Sequence, residues 1–158
     1  MITLNRTMKK ITATFLAIAA AVSTSFAHEH ATTPLQTILV EYVKIQQALA
    51  GDSLNGVPEA ATAIVTAIKG NEGELPGTAV SQAEAVGKAT DIKAARAAFK
   101  PLSVTLIGAA SSLKKKTGHF YEAYCPMAGA AWIQADKKVA NPYYGASMLT
   151  CGEIRRDL

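Results

Sequence analysis

The sequence predicts a mainly α fold, a four-helix-bundle-like domain closed by an irregular C-terminal cap with room for a short β-hairpin. Three observations carry this. Apolar residues recur at spacings of three and four through an Ala-rich stretch from about Thr33 to Lys116. Clusters of Gly, Asn and Pro at 51–56 and 70–77, with a further break between Lys88 and Asp91, divide that stretch into four helix-sized lengths. After Gly118 the helical period fades and aromatics concentrate, with Phe120, Tyr121, Tyr124, Trp132, Tyr143 and Tyr144 close together.

Each element has its own warrant. Leu35, Ile38, Leu39, Tyr42, Ile45 and Leu49 form one apolar stripe, the mark of a helix with one face inward. Gly51-Asp52-Ser53 and Asn55-Gly56 end it. A second helix is expected from Pro58 to Lys69, burying Ala61, Ile64, Val65 and Ile68. Proline suits its first turn, where the missing N–H would have no helical partner. Gly70 to Gly77 reads as a loop and Thr78 to Lys88 as a short helix. A long helix from about Asp91 to Leu113 turns Ile92, Ala95, Phe99, Leu102 and Leu106 inward. Pro101 lies within it and is expected to kink or divide it. Short connections favour antiparallel neighbours, as in a bundle. In the cap, His119 to Tyr124 reads as a strand that Trp132-Ile133-Gln134 can pair with. Asp136-Lys137-Lys138 is a polar turn, and Asn141-Pro142-Tyr143-Tyr144-Gly145 another.

The net charge of +4 divides unevenly. Arg6, Lys9 and Lys10 all precede the first acid, Glu29, so the basic pI of 9.1 is largely an N-terminal property. The only basic run, Lys114-Lys115-Lys116, has no aromatic ladder, which argues against nucleic acid as a partner. The three early cations are followed by the uncharged stretch Ile11 to Val22 and by Ser25-Phe26-Ala27, the pattern of a cleaved signal peptide. The apolar stretch is shorter than the roughly 20 residues of a membrane span. The expected organisation is therefore a signal peptide over 1–27, a flexible mature N-terminus over 28–33, and one helical domain over 34–158. Within that domain, 34–116 form the bundle and 117–158 the cap. The mature protein is expected in the periplasm, soluble and off the membrane.

Once Met1 and Met8 leave with the signal peptide, two cysteines and two methionines remain, all in the cap: Cys125, Met127, Met148 and Cys151. They read as Cys-x-Met and Met-x-x-Cys. An extended Cys125-Pro126-Met127 puts both sulfurs on one face; one helical turn does the same for Met148 and Cys151. Thiolate and thioether together suit soft ions, Cu(I) and Ag(I). His119 adds a nearby imidazole. Cleavage after Ala27, and only there, would expose His28-Glu29-His30, whose amine, amides and His30 suit square-planar Cu(II) or Ni(II), with His28 at the free terminus. Taken alone, two cysteines in an exported chain more simply form a disulfide, worth roughly 3 kcal/mol by loop-closure entropy. Methionines alone are more often core filler. Their concentration in the cap, with none in the mature helices, favours a sulfur site.

Tyr124-Cys125-Pro126-Met127-Ala128, Ala131-Trp132-Ile133, Asn141-Pro142-Tyr143-Tyr144-Gly145 and Met148-Leu149-x-Cys151-Gly152-Glu153 together resemble a bacterial periplasmic domain of unknown function. That domain occurs alone and fused to the C-terminus of CusB-type heavy-metal efflux adaptors. Asp91-Ile92 through Arg96, Phe99 and Leu102-Ser103 are similar to its long helix, and Pro101 departs from its pattern. The resemblance covers roughly Leu35 to Ile154. It implies a small helical-bundle domain linked to copper or silver handling, with Cys125, Met127, Met148 and Cys151 as the matching ligands. No adaptor hairpin or barrel sequence is present.

The expected function is thus a soft-metal-binding protein that buffers copper or delivers it to an efflux adaptor or another periplasmic copper protein, without an organic cofactor. The alternative is a disulfide-stapled interaction module that binds no metal. An enzyme is not expected, because no His-Glu-x-x-His, no Gly-x-Ser-x-Gly and no paired acids in a plausible cleft occur. Cys125 and His119 lack a third group to orient them as nucleophile and base.

Overall fold

The first described helix is capped by Thr33, whose side chain accepts the Gln36 N–H while the Gln36 side chain accepts the Thr33 N–H. This reciprocal cap fixes the start of α1, Pro34–Ala50. The computed structural model describes residues 33–71, 73, 75–113 and 119–158. The expected signal peptide, His28 and His30 lie outside the described residues. Four helices are followed by a small sheet: α1, then α2 (Val57–Lys69), α3 (Thr78–Gly87), α4 (Ile92–Ser111), β1 (Tyr121–Cys125), β2 (Ala130–Gln134) and β3 (Glu153–Asp157). A single 3-10 turn, Gly145–Ser147, precedes β3. The fold is mainly α with a three-stranded antiparallel sheet. No described helix is long and apolar enough to cross a membrane.

All the apolar stripes face inward. Leu39, Tyr42, Ile45, Leu49, Ile64, Phe99, Leu102 and Leu106 are each fully buried. Successive helices pack on one another, α1 with α2, α2 with α3 and α3 with α4, and β2 lies against α1 and α4. Gly87 of α3 makes one of these contacts possible: a Cβ there would sit 2.9 Å from the Ala61 Cβ of α2. The helix α4 runs through Pro101 as one element, so the expected division at that residue does not occur. Pro101 faces solvent, while Phe99, Leu102 and Ser103 on either side are buried and hold both halves to the core.

The sheet order is β2-β1-β3. In β1–β2, Tyr121 faces Gln134, Ala123 faces Trp132 and Cys125 faces Ala130. The third strand was not expected, because Glu153-Ile154-Arg155-Arg156-Asp157 shows only one apolar side chain. It pairs with β1, with an irregularity at Glu122/Ala123. Arg156 Nε binds the buried Glu122 carboxylate at 2.6 Å, and the Arg155 guanidinium stacks 3.5 Å from the Tyr124 ring centre. Charges on this outer strand also discourage edge-to-edge association.

A polar network joins the sheet to the helices. Tyr42 Oη lies 2.6 Å from Ser103 Oγ and accepts the Ile133 N–H at 3.3 Å. Tyr143 donates to the Ala131 carbonyl at 2.7 Å and lies 3.1 Å from Ser103 Oγ. Burial raises the ionisation of both tyrosines well above the ordinary range, so they remain neutral donors and acceptors. Phe99 stacks on Tyr42 with ring centres 4.7 Å apart, and Tyr143 meets the edge of Trp132. The helices and the cap thus share one core.

Candidate functional site

Alternation along β1 turns Ala123 and Cys125 inward, and Cys125 occupies the last rung opposite Ala130. The chain then reverses through Pro126–Gly129, closed by the Gly129 N–H on the Pro126 carbonyl at 3.1 Å, with Gly129 at φ +55°. This reversal aims backbone N–H groups back at the cysteine. Ala128 N–H donates to Cys125 Sγ at 3.4 Å.

Cys151 arrives by a different route. Its N–H donates to the Met148 carbonyl at 3.0 Å, which makes residues 148–151 a turn. The fully buried Asn141 holds this turn in place. Its N–H donates to the Leu149 carbonyl and its Nδ2 to the Cys151 carbonyl, each at 2.8 Å. Its Oδ1 accepts the Tyr143 N–H at 2.8 Å. Gly152 follows at φ +138°, where a Cβ would sit 2.8 Å from both the Tyr124 carbonyl oxygen and the Trp132 ring. Only glycine lets the chain pass so close to β1, and that passage delivers Cys151 to Cys125.

Both cysteines are free and their sulfurs are 2.7 Å apart. Cys125 is fully buried; Cys151 is half-buried and lines a cleft of about 280 Å³ with Tyr124, Pro126, Gly152 and Glu153. Burial works to raise the Cys125 thiol, but it is outweighed. Hydrogen bonds from Cys151, the Ala128 and Met127 N–H groups and the Asn141 side chain hold it below its ordinary value. Cys151 is pushed the other way, chiefly by its hydrogen bond to Cys125. Of the two thiols, Cys125 is the more readily ionised.

The other expected ligands are placed differently. Pro126-Met127 is part of a turn rather than extended, so the face-sharing argument for Met127 does not apply. Its backbone N–H serves the cysteines while its side chain is 65% exposed. Met148 is half-buried at the end of the 3-10 turn, and its link to Cys151 is the turn hydrogen bond, not a helical one. His119 is exposed and precedes β1 at the end opposite Cys125. At about 3.3 Å per residue, an extended strand separates the imidazole from the sulfurs rather than joining them. Among the described residues, no three His, Cys, Asp or Glu side chains gather as a metal site.

Several residues that build the site were not found from sequence. Arg96 Nε donates to the Pro142 carbonyl at 2.7 Å, and Nη2 reaches the Leu49 carbonyl at 2.8 Å and Asp52 Oδ1 at 2.6 Å. Asp52 Oδ2 then accepts the Ala146 N–H at 2.8 Å. This clamp ties α1 and α4 to the loop that carries Asn141. Gly145 lies directly on it, at φ +56°, where a Cβ would collide with Asp52 and Arg96. The available signal was an arginine beside the buried Ala95 on an otherwise Ala-rich helix.

The donor set can be tested for fit. Two soft sulfurs, one of them reachable from solvent, suit a two-coordinate Cu(I) or Ag(I) ion. Two collinear metal–sulfur bonds of about 2.3 Å, the Zn–S value taken as a guide, need sulfurs about 4.6 Å apart. The pair at 2.7 Å must therefore open, and Cys151, on a half-buried turn, is the side with room to move. Compared with protein-family models, curated proteins and solved structures, the chain matches none.

Proposed function

We propose that this is an exported, periplasmic soft-metal-binding protein that holds Cu(I) or Ag(I) between Cys125 and Cys151. The ion is its cargo, buffered or passed to a heavy-metal efflux adaptor or another periplasmic copper protein. The observation that carries the reading is the convergence of two cysteines, distant in sequence, at one rim of the sheet with sulfurs 2.7 Å apart. Two further features support it. The amides of Met127 and Ala128 and the Asn141 side chain favour a thiolate at Cys125, the form a soft metal takes. The cleft beside Cys151 gives the ion a way in. Met127, largely exposed at the same turn, and Met148, next to the Cys151 turn, are auxiliary thioether ligands in this reading; His119 is not assigned. The resemblance to the adaptor-fused periplasmic domain, and a bundle-like arrangement of α1 to α4 as its scaffold, belong to the same proposal. So does the absence of enzymatic turnover.

The same two sulfurs also favour a second reading, a Cys125–Cys151 disulfide stapling an interaction module. The readings differ in redox state rather than in place. Oxidation removes both thiolate ligands, and bound Cu(I) would protect them. A Cu(I) competition titration separates them. Reduced wild type should bind one equivalent; Cys125→Ser and Cys151→Ser should each lose at least about tenfold in affinity. Met148→Leu, close to volume-conserving, should lose less without unfolding. Equal binding by all four proteins would leave the stapled module as the account.

A further inference from the structure

The two cysteines are unequal in a way that metal binding does not require. Cys125 Sγ is fully enclosed, with the Ala128 N–H donating to it at 3.4 Å. Cys151, by contrast, is half-buried and borders a cleft of about 280 Å³ whose other walls are Tyr124, Pro126, Gly152 and Glu153. That volume accommodates one cysteine side chain presented on a loop. It is too small for a folded partner's face.

We propose that the pair is a directional thiol–disulfide exchange centre, in which a partner dithiol attacks the Cys125–Cys151 disulfide only at Cys151 and Cys125 is the leaving sulfur. The geometry sets the direction. Attack requires the incoming thiolate in line with the sulfur–sulfur bond. Cys151 can be reached from the cleft, whereas Cys125 is covered on every side. The electron pair of the broken bond goes to Cys125, where the Ala128 N–H already points at the departing charge. A mixed disulfide then joins the partner sulfur to Cys151. The partner's second thiolate attacks its own first sulfur in that bond and closes the partner's disulfide. Cys151 is released and takes up a proton. Two electrons pass from the partner dithiol to this protein, and the reverse sequence oxidises the pair. The inference holds whether or not the pair binds copper, but it supplies what a copper site in an oxidising compartment needs, a way to be reduced while folded.

The test is run with chelator present, so that failure of the copper reading cannot affect it. Oxidised wild type is treated with dithiothreitol under native conditions, and free thiols are counted with time. Reduction of the folded protein should be first order in dithiothreitol and within about tenfold of the rate in urea. Reduction that proceeds only at the rate of unfolding, independent of dithiothreitol, would overturn the proposal, because the bond would then be a sealed staple. Direction is read from Cys125→Ser and Cys151→Ser, each treated with glutathione disulfide and followed by mass. Cys125→Ser, which retains Cys151, should form the mixed disulfide at least about tenfold faster, and urea should erase the difference. Equal rates in the folded variants, or faster reaction at Cys125, would reverse the assignment of the attacked sulfur. If a variant fails to fold, mapping the glutathione adduct on wild type by peptide mass asks the same question. Glutathione should then be on Cys151, and an adduct on Cys125 would overturn the assignment.

Discussion

Replacing Phe99 with alanine tests whether helices and cap share one core. The ring is fully buried on α4, stacked on Tyr42 of α1 with centres 4.7 Å apart and tilted against Tyr143 of the cap at 6.1 Å. Two costs add. Losing the burial of a large apolar side chain is worth about 2–3 kcal/mol. The hole left is about 100 Å³, and at about 24 cal/mol per Å³ an unrelaxed cavity adds about 2 kcal/mol. Partial collapse around the site brings the expected loss to about 3–5 kcal/mol. Urea unfolding by far-UV circular dichroism, with Trp132 fluorescence in parallel, measures it. Trp132 is fully buried in β2 and touches Tyr143, so it reports the cap, while ellipticity reports the helices. Both probes should move together to a lower midpoint at unchanged slope. A loss below about 1 kcal/mol, or a fluorescence transition that stays in place while ellipticity shifts, would refute the shared core.

Gly152→Ala places a side chain at a backbone conformation glycine almost alone adopts and against the Tyr124 carbonyl, so it should cost about 1–3 kcal/mol and slow Cys125–Cys151 disulfide formation; unchanged oxidation kinetics would show that Gly152 does not position Cys151. The clamp at Asp52 predicts a pH effect. The Ala146 N–H and the Arg96 guanidinium lower the folded-state ionisation of this carboxyl, so its contribution is present above the unfolded value of about 3.9 and is lost as pH falls through the lower folded value. Asp52→Asn should therefore be less stable than wild type near neutrality, and the gap should narrow on acidification through that window; a gap independent of pH would assign the effect to something other than the charge.

The helices were legible because their signal is local. Six stripe residues of α1, together with Ile64, Phe99, Leu102 and Leu106, are buried as the three-to-four spacing requires, and α2 begins one residue before Pro58. The strand β3 was not legible, because an edge strand with one face in solvent carries charges where a central strand carries apolar residues. The cysteines were legible as a pair but their setting was not. The geometry of Met127 and Met148 was read as an extended segment and a helical turn, whereas both residues lie in turns whose shape is set by Gly129, Asn141 and Gly152, residues far apart in the chain. His119 was drawn to the site by a separation of six positions in sequence, which an extended strand converts into distance. The Arg96–Asp52 clamp depends on a contact across 44 positions and leaves no periodic trace.

The central claim is that Cys125 and Cys151 together hold one soft metal ion, and X-ray absorption of the Cu(I)-loaded, reduced protein tests it most directly. The predicted first shell is two sulfurs at about 2.3 Å, lost in the Cys125→Ser and Cys151→Ser proteins. A shell of nitrogen or oxygen, or an unchanged sulfur shell in both cysteine variants, would contradict it.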